Sequence, residues 1–184
     1  MAMNFIENPP VPYLGPLSGV GSGLIVQVTG RPLPTASWFA VNLQCGPSLN
    51  PRDDICLHIS PRFEGAQSRV VRNSLQAGQW GLEETFGHFP FAPDAPFEIL
   101  ILFEPDSYKV AVNGEHYAEF VHRMPLERVN TLAVDGDVLL SCVRHELEGP
   151  PGSVPTQEQY ATGEAAAYQP PIGVSDNQYA LTNY

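Results

Sequence analysis

Apolar residues along this chain alternate with polar ones over short runs and never settle into the three-to-four-residue repeat of a helix. The runs fall at 23–30 (GLIVQVTG), 37–45 (SWFAVNLQC), 54–63 (DICLHISPRF), 68–73 (SRVVRN) and 79–84 (QWGLEE). Others follow at 97–104, 108–114, 115–121, 130–136 and 137–143, with turn residues between them. Asn113-Gly114 and Asp135-Gly136 each stand between two such runs, which predicts two hairpins. Many short antiparallel strands at this spacing predict an all-β fold, a sandwich or a barrel. Residues 1–16 are rich in proline and predict a surface run or an edge strand.

The pattern stops at Gly149. The remaining segment holds five Pro, four Tyr and no Lys or Arg, with few large aliphatics. It buries too little apolar surface to offset its ordering entropy, which predicts disorder. The expected organisation is an N-terminal extension (1–9), one folded domain (10–148) and a disordered tail or linker (149–184).

Charge narrows the partners. The formal net charge is −11 and the only lysine is Lys109, so the clustered cations that neutralise nucleic acid or an anionic membrane are missing. No stretch approaches the ~20 apolar residues of a membrane span, and the N-terminus has neither the basic nor the apolar region of a secretory signal. Three cysteines, Cys45, Cys56 and Cys142, are odd in number and widely spaced, which predicts free thiols and synthesis in the cytoplasm.

Candidate chemistry gathers in His58 to Thr85. In a strand, His58, Ser60 and Arg62 share one face while Leu57 and Ile59 point the other way. Arg69, Val71 and Asn73 share a face of the next run, and after a turn Trp80 opens a third segment with Glu83 and Thr85 on one side. If the three are neighbours in one sheet, His58, Arg62, Asn73, Trp80 and Glu83 converge on a concave surface. That set suits a sugar, whose hydroxyls need directional donors and acceptors and whose C–H face needs an aromatic plate. Glu83 is expected to pair with Arg62. Arg72 points to the face expected to be core, and the sequence offers no account of it.

These segments resemble the galectins, whose pattern is His-x-Asn-Pro-Arg, then Val-x-Asn, then Trp-Gly-x-Glu-x-Arg. Here they read His58-Ile59-Ser60-Pro61-Arg62, Val71-Arg72-Asn73 and Trp80-Gly81-Leu82-Glu83-Glu84-Thr85. The resemblance implies a two-sheet antiparallel β-sandwich of jelly-roll type and a β-galactoside bound on the concave face. It implies binding through His58, Ser60, Arg62, Val71, Asn73, Trp80, Glu83 and Thr85, without metal or cofactor. Its implied partners are galactose-containing glycans and glycoproteins, and its implied setting a cytoplasmic protein exported without a signal peptide. A homodimer, or self-association through the tail, remains open. Two positions depart from the pattern, Ser60 for Asn and Thr85 for Arg. Serine has a shorter reach than an amide, and threonine cannot form the arginine fork. The departures predict altered or weakened galactoside binding, and they admit an alternative, a galectin-fold interaction module without sugar readout.

Other residues carry less. Trp38 lies in an apolar run and is expected in the core. Glu83 and Glu84 are adjacent, so they point to opposite faces and cannot be the paired carboxylates of a glycosidase; no enzyme is expected. The five histidines lack a compact ligand spacing, and no metal site is expected.

Overall fold

Alternation of apolar side chains, carried through to three dimensions, produces two facing sheets with one core between them. A computed structural model describes residues 4–147; the tail expected to be disordered, 149–184, lies outside the described residues. Twelve strands run in the order β1 (Asn4–Glu7), β2 (Tyr13–Pro16), β3 (Leu24–Pro32), β4 (Phe39–Gln44), β5 (Ile55–Arg62), β6 (Arg69–Gln76) and β7 (Gln79–Trp80). They continue as β8 (Phe97–Phe103), β9 (Ser107–Val112), β10 (Glu115–Val121), β11 (Thr131–Gly136) and β12 (Val138–Leu147). The first sheet has the order β1-β12-β3-β8-β9-β10 and the second β2-β11-β4-β5-β6-β7. Neighbouring strands pair antiparallel throughout. No α-helix occurs among the described residues, and no helix there is long and apolar enough to cross a membrane.

The inward faces meet in one cluster. Leu24, Val26 and Val28 of β3 and Ile99, Ile101 and Phe103 of β8 face Val41 and Leu43 of β4 and Leu57 and Ile59 of β5. Phe39 stacks on Phe97 at 4.9 Å and meets Phe91 edge-on at 5.5 Å, closing one end. Strands of the first sheet alternate buried and half-buried positions, as expected where the outer face meets water. In β4, β5 and β6 nearly every residue is buried, because polar side chains cover one another on the second sheet's outer face.

Asn113-Gly114 closes the β9–β10 hairpin, with positive φ at both residues as a two-residue turn requires. Asp135-Gly136 does not close a hairpin, contrary to expectation. It carries the chain from β11 in the second sheet to β12 in the first. Gly136 has φ 99°, and a Cβ there would lie 2.7 Å from Phe39 Cα and 2.8 Å from the Trp38 carbonyl oxygen. The glycine thus serves a crossing of two backbones. At the N-terminus Asn4–Glu7 pairs with β12 as an edge strand, one of the two outcomes expected of residues 1–16. Four residues ahead of Pro9-Pro10 are too few for alternation to show. The three cysteines carry no disulfide, although Cys45 Sγ and Cys56 Sγ lie 3.5 Å apart.

Candidate functional site

Register decides which polar side chains meet. On the second sheet His58 pairs with Asn73, Ser60 with Val71, and Leu75 with Trp80. Directly paired residues present their side chains to the same face, so β5, β6 and β7 offer theirs to one surface. A two-residue turn with positive φ at Ala77 and Gly78 folds β7 back against β6, and Asp54 Oδ1 accepts the Ala77 N–H at 2.8 Å. A cleft of about 420 Å³ lies there, lined by Trp38, His58, Ser60, Arg62, Val71, Asn73, Trp80, Gly81 and Glu83. Seven of the eight residues singled out from sequence line it; Thr85 stands outside the lining, on exposed chain beyond Glu84.

Each polar group in the floor has a defined role. His58 is buried, and its Nδ1 lies 2.6 Å from Asn42 Oδ1. An amide oxygen has no proton to give, so the imidazole proton lies on Nδ1 and Nε2 keeps a lone pair. Burial, and then the charges of Arg62 and Arg52, push the His58 pKa down to about 4. The ring is therefore a neutral acceptor. Asn73 donates from Nδ2 to the Gly81 carbonyl at 3.0 Å, while its Oδ1 accepts from Ser74 N–H at 2.8 Å and Arg123 Nη1 at 3.0 Å. One amide proton remains for a ligand. Ser60 Oγ donates to the Phe39 carbonyl at 2.9 Å, which spends its only proton inside the fold. It faces the cleft as an acceptor alone.

Trp80 is 52% exposed and its ring centroid lies 4.8 Å from that of His58. An exposed indole beside a polar floor is a stacking plate. The expected pair between Arg62 and Glu83 does not form, as no ion pair among the described residues includes either. Two charges beside open water gain little by pairing. Both stay available, and Arg62 Nε is buried without a partner. Glu84 points away from Glu83 and pairs with Arg123 Nη2 at 3.0 Å.

Three residues take places the sequence did not reveal. Trp38, expected in the core, is 41% exposed and lines the cleft. It precedes Phe39, which points inward, so parity turns it outward. Arg72 is fully buried on β6, donating to the Val70 carbonyl at 3.1 Å and the Phe86 carbonyl at 2.9 Å beneath the Phe86 and Tyr117 rings. Its backbone also exchanges hydrogen bonds with Glu84, which fixes the segment after Trp80. Arg123, just past β10, reaches the Leu82 carbonyl at 2.9 Å and braces the Trp80–Glu84 segment from the other side.

Residues 12–145 match the family described as galactoside-binding lectin. Human galectin-7 is 41% identical over 135 residues, covering 73% of this chain and 96% of that protein. Human galectin-12 is 38% identical over 146 residues, 76% of this chain and 44% of that protein. Human galectin-4 is 39% identical over 137 residues, 74% of this chain and 42% of that protein. The chain thus spans under half the length of these last two relatives. Among solved structures, Caenorhabditis elegans galectin LEC-6 superposes with a TM-score of 0.70 at 28% identity, covering 78% of this chain and 96% of that one. Sheep galectin-11 gives 0.66 at 30% identity, over 75% and 99%.

Proposed function

The chain belongs to the galectin family, and from that premise we propose that it is a lectin whose cleft on the second sheet holds a β-galactoside. The observation that supports this best is the meeting of one exposed indole, Trp80, with a floor of neutral His58, Asn73 and Arg62. A pyranose on Trp80 would lay its C–H face on the ring and direct hydroxyls to His58 Nε2, the free Asn73 proton, Arg62 and Glu83. No step of bond cleavage is involved, and the binding needs no metal or cofactor. On this reading the partners are galactose-containing glycans and glycoproteins, and the setting is a cytoplasmic protein exported without a signal peptide.

Affinity for lactose is reduced by the two departures. Ser60 lacks the amide's reach and spends its proton on Phe39, and Thr85 supplies no guanidinium to the second sugar. A hydrogen bond to a charged group contributes about 1.5–3 kcal/mol, and exposure keeps the loss toward a tenfold drop. These same features support the second reading, an interaction module built on the family fold.

Calorimetric titration with lactose and a broad glycan array decide between them. Trp80→Ala should remove binding of every glycan while thermal melting stays cooperative. Ser60→Asn with Thr85→Arg should raise lactose affinity about tenfold. If neither the natural chain nor the double variant binds any glycan, the interaction module takes the lectin's place.

A further inference from the structure

One cation joins the floor of the cleft to the segment that carries its aromatic plate. Arg123 follows β10 of the first sheet, yet its guanidinium reaches across to β6 and the chain after β7 in the second. Nη1 donates to Asn73 Oδ1 at 3.0 Å and to Ser74 Oγ at 3.3 Å. Nη2 donates to the Leu82 carbonyl at 2.9 Å and to Glu84 Oε1 at 3.0 Å. The guanidinium carbon rests 4.5 Å from the centroid of the Phe120 ring. Gly81 leaves room for this approach, since a Cβ there would lie 2.8 Å from Arg123 Nη1 and 3.1 Å from Asn73 Oδ1. Arg123 is not part of the cleft lining. It lines a neighbouring groove of about 630 Å³ with Ser74, Gln76, Gln79 and Leu82.

The plate depends on such a hold. Trp80 ends a strand of two residues at the sheet edge, and residues 79–83 are all exposed, so packing does little to fix them. Hydrogen bonds carry the placement instead. Gly81 N–H donates to the Ser74 carbonyl at 3.0 Å, Asn73 Nδ2 donates to the Gly81 carbonyl at 3.0 Å, and Arg123 adds its two arms. Asn73 is held by the same set. Two donors, Ser74 N–H and Arg123 Nη1, face its Oδ1, which forbids the reversed amide and leaves the remaining Nδ2 proton for the cleft. We infer that Arg123 is a positioning residue for sugar binding. It touches no sugar, and it holds the Asn73 amide and the Trp80 segment in one frame, so that a ligand meets a site already ordered. A lysine in its place has no fork to grip both at once. The inference deepens the lectin reading above and rests on it.

The test is calorimetric titration of the full chain with lactose, well below each protein's melting temperature. Arg123→Lys keeps the charge and the stem, and it should melt within a few degrees of the natural chain yet bind lactose about tenfold more weakly. Arg123→Ala should weaken binding at least as much. Methylguanidinium added to Arg123→Ala should restore most of that loss and methylammonium should not, because only the first supplies the fork. Neither additive should change the affinity of the natural chain. If Arg123→Ala fails to fold, Arg123→Lys decides alone. Lactose affinity unchanged in Arg123→Lys, or equal effects of the two additives on Arg123→Ala, would mean that Arg123 serves only the fold, and the lectin reading would stand without it. If the natural chain binds neither lactose nor any glycan of the array, both readings fail together.

Discussion

At His58, burial works against charge. Its pKa is pushed down to about 4 by desolvation first, then by Arg62 and Arg52. The unfolded chain takes up this proton near pH ~6.5, and the folded chain only near the lowered value. The contribution to stability is whole above pH ~6.5, declines as pH falls and is gone near pH ~4. It amounts to about 3 kcal/mol. Urea unfolding at about pH 7.5 and about pH 4.5 should show the natural chain losing about 2 kcal/mol more than His58→Gln; parallel losses would refute it. The facing of His58, Ser60, Arg62, Asn73 and Trp80 was legible because alternation alone sets it. Arg72 was not, since its partners are carbonyls and rings from distant segments, invisible in local pattern. Trp38 misled because an aromatic among apolar neighbours is ordinarily buried; counting parity outward from Phe39 would have placed it.

Strands were legible wherever alternation ran for six residues or so, and β3, β8 and β9 fall where their runs lie. Connections were less so. Asn113-Gly114 and Asp135-Gly136 look alike in sequence, yet one closes a hairpin and the other crosses between sheets. What separates them is tertiary: Gly136 lies against Phe39 and Trp38, a contact with no local trace. A side chain there meets backbone atoms at 2.7 and 2.8 Å and a φ of 99° that L-residues avoid. Gly136→Ala should therefore destabilise the domain by about 2 kcal/mol or more, read as a lower melting temperature. The same substitution at Gly114, where nothing lies within 4 Å, meets only the strain of its φ of 80° and should cost less. Equal losses at the two sites would remove the close-approach explanation.

For the whole molecule, the sandwich class follows from run count and spacing, but the division of strands between sheets does not. The edge pairing of β1 with β12 is one such long-range outcome, and it places Asn4 opposite His145. The two ends of the described chain therefore emerge side by side, so its path is almost a closed ring. A linker of about five residues suffices to join 147 to 4. The order of synthesis then becomes a matter of choice, since the ring can be opened elsewhere. Opened at the exposed Asn113-Gly114 turn, the circular permutant should melt cooperatively, several degrees below the parent, with its cleft on β5, β6 and β7 intact. A permutant that collects only as a molten or insoluble chain would show that β9 and β10 must be joined for the sheet to assemble.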